Sequence, residues 1–342
     1  MRASARISRQ TWHFQNEIRL LGSGVAVGPL EGQGPLAEEY DHIFEDSYAG
    51  EDTWEQAERK MMTQAIEVAL NKSGLTAEDM DVLLAGDLLN QIITANYTAR
   101  DQQIPLLGQF AACSTSMQGL ALASALVDGG FAKYALTGCS SHNSTAERQF
   151  RYPTEYGGQK PPSAQWTTTG AGATVVGLGG SSGPRVTHAT IGKVIDLGIK
   201  DPFDMGAAMA PAAADTLLTH FHDLARAPED YDLIVTGDLG KVGSSILVDL
   251  MADVDVKLVA PRYDDCGIMI FSPDQEVFSG GSGCAASAIV SYSHIVDGLN
   301  QGRYQRVLVV ATGALFSPVS FQQGESIPCI AHGVVLERVS SA

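Results

Sequence analysis

The chain has 342 residues, with 39 Asp plus Glu against 22 Lys plus Arg and a net charge of −17. That balance excludes nucleic acid as a main partner, since a polyanion is held chiefly by Lys and Arg neutralising phosphates, and it disfavours direct docking on anionic lipid. With 44 % hydrophobic residues, 18 % charged residues and 36 glycines, the composition is that of a well-buried globular chain, long enough for about two domains or one core built from two halves.

Residues 1–10 carry Arg2, Arg6 and Arg9, but residues 11–16 supply no apolar segment, so no signal peptide is expected. No window reaches the roughly eighteen apolar residues of a membrane-spanning helix, and a soluble or peripheral protein is expected. The apolar run Ile18–Val27 reads as a strand, as do 81–85, 132–137, Leu233–Thr236 and 306–312, with longer helical patterns between them. That alternation is the rhythm of α/β layering. Trp54–Ser73 is the clearest amphipathic helix. Ala57, Met61, Ala65, Val68 and Ala69 share one face, Asp52 or Thr53 stands at the N-cap, and Gly74 is the natural stop. Residues 29–52 and 152–165 are turn-rich and read as excursions from the core. Gly179-Gly180-Ser181-Ser182-Gly183 reads as a linker and lacks the Lys-Ser/Thr of a phosphate loop. The five cysteines are scattered without Cys-x-x-Cys spacing, which points to reduced thiols.

An internal repeat organises the chain. Asp81-Val82-Leu83-Leu84-Ala85-Gly86-Asp87-Leu88 returns 151 residues later as Asp232-Leu233-Ile234-Val235-Thr236-Gly237-Asp238-Leu239, identical at four of eight positions. Cys113-Ser114-Thr115-Ser116 has its counterpart 171 residues later in Cys284-Ala285-Ala286-Ser287. Val127-Asp128-Gly129 matches Val296-Asp297-Gly298, and Arg19-Leu20-Leu21-Gly22 pairs loosely with Ala189-Thr190-Ile191-Gly192. Two pseudo-symmetric halves follow, each with a parallel-rich sheet. The nearly chargeless helices at 116–127 and 284–296 are expected between the sheets, covered on all sides. Their N-termini would approach one central pocket, where free backbone N–H groups favour an anion.

These residues resemble a known superfamily. Residues 95–100, Ile104-Pro105 and Phe110-Ala111-Ala112-Cys113-Ser114-Thr115-Ser116 are similar to the approach to the nucleophile cysteine of thiolases and ketoacyl-ACP synthases III. Ile327-Pro328-Cys329-Ile330-Ala331-His332-Gly333 sits where thiolases carry a second cysteine motif, and residues 169–176 resemble the strand entering the second half. Within that superfamily, Asn96-Tyr97-Thr98-Ala99-Arg100 and residues 113–122 are most similar to the stage V sporulation protein AD family. The resemblance implies a thiolase-like α/β fold layered α/β/α/β/α. Residues 1–17 would form an extension, 18–180 the N-terminal half and 181–342 the C-terminal half.

The resemblance also implies a function. Catalytic relatives place His or Asn after the second-half strand and again before the second buried helix. Here Thr236-Gly237-Asp238 and Gly281-Ser282-Gly283 occupy those places, so the catalytic partners are read as replaced at Gly237 and Ser282. A non-catalytic protein that binds dipicolinic acid (pyridine-2,6-dicarboxylate), with or without calcium, is implied. It would act in uptake of that ligand into the developing spore with the other stage V sporulation A membrane proteins, as a homodimer, peripheral at the spore inner membrane through its partners. No cofactor is implied beyond calcium carried with the ligand, and a metal site is not assigned. The candidate ligand-binding residues are Cys113, Ser114, Cys139, Ser140, His142, Gly281, Ser282, Gly283, Cys329 and His332. Plainer readings stand beside them: Cys113 as a small side chain in a tight elbow, His142 as a solvent-facing loop residue, and His332 as a satisfied core histidine. Asp87 and Asp238, at equivalent strand ends, could bind a cation or cap the following turn. Two alternatives in other classes are an acyltransferase using Cys113 with His332 or His142 as base, and a scaffold with a vestigial pocket.

Overall fold

The computed structural model describes residues 5–150, 160–179 and 183–339. Its first half contains β1 (Thr11–His13), β2 (Ile18–Val27), β3 (His42–Ile43), α1 (Trp54–Ser73), β4 (Val82–Gly86), α2 (Ile93–Gln102), β5 (Leu106–Gly108), α3 (Thr115–Asp128), β6 (Tyr134–Ser141), α4 (Asn143–Phe150), β7 (Trp166–Thr167) and β8 (Gly170–Leu178). The second contains β9 (Arg185–Thr190), α5 (Met205–Leu224), β10 (Leu233–Thr236), α6 (Gly240–Ala252), β11 (Tyr263–Asp265), α7 (Cys266–Met269), β12 (Gly281–Ser282), α8 (Cys284–Val290), α9 (Val296–Gln301), β13 (Arg306–Ala314), α10 (Pro318–Gln322) and β14 (Cys329–Glu337). The helix most legible in the sequence keeps its bounds. Thr53 Oγ1 accepts the Gln56 N–H at 3.3 Å, and Gly74, at φ +70°, closes α1 in the left-handed conformation.

The repeat becomes two sheets of the same plan. The first runs β5-β4-β6-β8-β2 and the second β11-β10-β13-β14-β9, each with its first three strands parallel and the last two joining antiparallel. The edges β2 and β9 meet through the pair Arg19 and Arg185. Helix α1 covers the outer face of the first sheet and α5 with α6 that of the second. Helices α3 and α8 lie between, and α3 touches both sheets. Leu120, Ala121 and Ala123 of α3 and Ala285, Ala288 and Ile289 of α8 are fully buried in one shared core. Helix α8 is buried along its whole length, whereas α3 keeps an apolar edge, Leu122, Ala125 and Leu126, that is only half-buried, so the expected cover on all sides holds for α8 and not for α3. Ser116 and Ser287, 171 residues apart, hydrogen-bond across the pseudo-axis at 2.6 Å.

Three details differ from the sequence reading. The turn-rich stretch 29–52 is folded back onto the core: Leu36 and Tyr40 join the central cluster, and the buried Glu31 carboxylate accepts the Thr169 N–H at 2.9 Å. The second buried helix does not stop near Val296; a π-helical turn, Ser291–Ile295, carries it into α9. The N-terminal extension is tied to the second half, because β1 pairs antiparallel with β9. Most of the excursion at 152–165 and of the linker at 179–183 lies outside the described residues.

Candidate functional site

The site begins at the elbow before α3. Ala112 takes φ +47°, the Ser114 hydroxyl donates to the Ala111 carbonyl at 2.7 Å, and the Thr115 hydroxyl donates to Ala112 at 2.7 Å. These bonds present Cys113, half-buried, to a cavity of about 40 Å³ that it shares with Ser282, Thr167, Phe110, Phe150 and Phe316. Ser282 arrives there because β12 pairs with β7, setting Ser282 opposite Thr167. The inner cavity has room for about three waters. A vestibule of about 430 Å³ adjoins it, sharing Leu88, Phe110, Phe150 and Phe316 and continuing past Asn90, Gln91 and Pro318.

Asp238 forms the ionisable wall behind Cys113. Its Oδ1 accepts the Thr312 hydroxyl at 2.7 Å, its Oδ2 accepts the Gly283 N–H at 2.9 Å, and the carboxylate also takes a hydrogen bond from the Cys113 thiol. Burial pushes this carboxyl up to about 7, against the lowering effect of those donors. Its repeat partner behaves differently. Asp87 accepts the Leu89 and Ala95 N–H groups, both at 2.8 Å, and so holds the turn and the start of α2. The turn after β10 is instead held by Asp265, which accepts the Leu239 and Gly240 N–H groups. That frees Asp238 to reach the cysteine. Beside Asp87 lies Glu58, fully buried, accepting the Ser140 and Thr145 hydroxyls at 3.0 Å and pushed up to about 8 by burial and by Asp87.

The expected residues divide. Cys113 and Ser282 line the cavity. Ser114 spends its hydroxyl on the elbow, and the Gly283 N–H belongs to Asp238. The Gly281 carbonyl accepts Gln165 Nε2 at 3.0 Å. Cys139 and Cys284 exchange thiol bonds with backbone carbonyls deep in the core, and Ser140 is held by Glu58. His142 is buried, not a solvent-facing loop residue. Its Nε2 lies 2.8 Å from the Ser47 carbonyl and its Nδ1 accepts the Ser144 N–H, so both nitrogens are engaged. Cys329 is buried and pushed up to about 12. His332 lines a separate cavity with Trp12, Gln118 and Ile191, and burial pushes it down to about 4. The two helix N-termini, expected to be free, are in part occupied by the chain itself. Ser114 and Thr115 N–H groups bond back to Ala111 and Ala112, while Gly283 and Ala285 N–H groups bond to Asp238 and Ser141. In the second half, the Asp238 carboxyl takes the Gly283 N–H that was expected to be open to an external anion.

Asp238, read from the sequence as a cation ligand or a turn cap, is the residue whose place beside Cys113 sequence reasoning missed. The signal was its place beside Gly237. A Cβ on Gly237 would lie 2.8 Å from the Thr312 nitrogen and 2.9 Å from Ala311 Cα, so the backbone there is packed too closely against β13 for any side chain.

Residues 8–337 match the model of the stage V sporulation protein AD family. The chain belongs to that family. The stage V sporulation protein AD of Bacillus subtilis (strain 168) is 58 % identical over 337 residues, covering 98 % of each chain. Among solved structures, 3-oxoacyl-[acyl-carrier-protein] synthase III from Aquifex aeolicus VF5 is similar with a TM-score of 0.58, at 16 % identity over 94 % of this chain and 99 % of that one. OleA of Xanthomonas campestris with bound cerulenin gives 0.64, at 15 % identity over 95 % and 99 %. At such identities the likeness shows the fold, which is thiolase-like. The sporulation family thus sits on a scaffold shared with enzymes. Among the described residues, no helix is long and apolar enough to cross a membrane.

Proposed function

We propose that this sporulation protein binds dipicolinic acid as its calcium chelate, without turning it over, at the vestibule leading to Cys113. The chemistry of that vestibule carries the reading. Phe110, Phe150 and Phe316 offer aromatic walls for a flat ring, and Asn90 and Gln91 offer amides at the mouth for carboxylates. Among the described residues, no Lys or Arg lines either cavity. A free dianion there would hold the nearby Asp238 and Asp87 carboxyls, already raised by burial, further toward their neutral forms, and a calcium ion on the ligand removes that cost. The inner cavity is far smaller than the ligand, so the ring would occupy the vestibule with one end directed at Cys113 and Ser282. In this reading the protein serves ligand uptake into the developing spore as a homodimer, recruited to the spore inner membrane by the other stage V sporulation A membrane proteins.

Calorimetric titration with dipicolinic acid, with and without calcium, tests the proposal, using pyridine-2-carboxylate as the one-carboxylate control. Saturable binding strengthened by calcium and weakened at least tenfold for the control is expected. Ser282→Asp places a third carboxylate beside Asp238 and should weaken binding by a similar factor. Absence of saturable binding with calcium present overturns the proposal.

A second reading, acyl transfer on Cys113, is favoured by one observation, the Asp238 carboxyl bonded to the thiol. The two histidines expected as substitute bases are not available to it: His142 is fully engaged, and His332 faces another cavity. Intact-mass analysis after exposure to acyl-CoA tests it, and an acyl adduct on Cys113 with release of CoA would establish the first half of acyl transfer.

A further inference from the structure

The seam between the two sheets carries a charge arrangement that the Cys113 cavity does not explain. Across β13, β14, β9 and β2, the directly opposed residues are Arg306, Glu337, Arg185 and Arg19. In antiparallel pairs, opposed residues project to the same face, so these four side chains form one row. Glu337 is taken by Arg306 at 2.7 Å and by Arg226, from beyond the end of α5, at 3.9 Å. Arg19 pairs with Glu17 through one terminal nitrogen. Arg185 has no ion pair or hydrogen bond from its side chain among the described residues, although its Cα partners are a glutamate already engaged and another arginine.

Like charges directly opposed across strands destabilise a sheet, and here the two guanidiniums sit at the pair that joins the halves. Arg19 is only 7 % exposed, and the Nε atoms of both Arg19 and Arg185 are buried without a partner. Four guanidiniums face three carboxylates, Glu17, Glu337 and, acting on Arg306 from further off, Asp230. Asp230 accepts the Ala227 N–H at 2.8 Å and, among the described residues, makes no ion pair with Arg19 or Arg185. The surplus is felt nearby: His188 is pushed down to about 3, first by burial and then by Arg226, His13, His220 and Arg306. In a chain of net charge −17, a locally positive and partly desolvated pair of guanidiniums favours a counter-anion.

We propose that Arg19 and Arg185 form a two-pronged site for a small free oxyanion of the phosphate type, bound at the seam between the halves. Guanidinium forks match two oxygens of such an anion at once. The depth of Arg19 selects a free ion over a headgroup held in a bilayer surface. None of the four residues in the row lines the vestibule or the inner cavity, so this site stands or falls separately from dipicolinate binding.

Thermal unfolding of the full chain in inorganic phosphate and in chloride, at matched pH and ionic strength, tests the proposal. Phosphate also stabilises proteins by exclusion from their surface, so the readout is the difference between variants. The wild type should show a saturable rise in Tm with phosphate, as mass action on a folded-state site requires. Arg185→Gln should lose that saturable part, its apparent affinity falling at least tenfold. Arg185→Lys, which keeps the charge but not the fork, should retain a weakened response. In chloride alone Arg185→Gln should unfold at the same temperature as the wild type or higher, because it removes a like-charge neighbour. Equal phosphate responses in wild type and Arg185→Gln, or a lower Tm of Arg185→Gln in chloride, overturn the proposal.

Discussion

Replacing Asp238 by Asn tests whether this carboxyl is held largely protonated beside Cys113. The wild-type group is fully buried and raised from an ordinary 3.8 to about 7. A carboxyl with a raised folded-state pKa contributes stability that is fully present below the unfolded value and is lost as pH rises through the folded one, because between the two the folded protein holds a proton that the unfolded chain has released. Each unit in that window is worth about 1.4 kcal/mol, and roughly two of its units lie between pH 5 and 8. The asparagine does not titrate and keeps most of the contacts. Its Oδ1 can accept the Gly283 N–H and its amide nitrogen can donate to Thr312 Oγ1, which stand at 2.9 and 2.7 Å from the native carboxylate. The stability of Asp238→Asn relative to wild type should therefore rise by about 3 kcal/mol from pH 5 to pH 8. Glu31, Glu58, Asp87 and Asp265, also raised by burial, are common to both proteins, so to a first approximation they cancel in the comparison. Urea denaturation of both across this pH range measures the difference. A gap constant within about 0.5 kcal/mol would refute the assignment.

Two further outcomes follow from close packing. Gly237→His, which puts back the imidazole that the superfamily resemblance places there, should lower stability by about 1–3 kcal/mol through overpacking against β13; an unchanged urea midpoint would show that the strand has room for it. Ser116→Ala leaves the buried Ser287 hydroxyl without its partner and should cost about 1–3 kcal/mol. Adding Ser287→Ala should then cost much less than that variant costs alone, and strictly additive losses would contradict a coupled pair across the pseudo-axis.

Much of the architecture was legible because it rests on local and repeated signals. The period of α1, its cap at Thr53 and its stop at Gly74 are short-range physics, and the duplicated Gly-Asp-Leu strand ends announced two equivalent sheets. The chargeless helices announced a central layer, since a helix packed in the core needs no polar face, although the Leu122, Ala125 and Leu126 edge of α3 is only half-buried. The site was less legible. Motif matching brought Cys113 and Ser282 to one cavity, but it set Cys139, Ser140, His142, Cys329 and His332 around a pocket that none of them lines in the structure. Adjacency along a strand does not give the direction of a side chain, because successive residues point to opposite faces.

The sequence by itself determined the family, the duplicated α/β plan and the place of the elbow at Cys113, all of which follow from patterns within tens of residues. Only the tertiary structure decided what each carboxylate does. Asp87 and Asp238 hold equivalent places in the repeat, yet one ties down a turn while the other, released by Asp265, closes on Cys113 and the Gly283 N–H. Likewise Arg19 and Arg185 lie far apart along the chain and become neighbours only where the two sheets meet. Hydrogen-bond partners and burial are properties of long-range packing, and they set whether a given acid is a cap, a proton holder or a counter-charge.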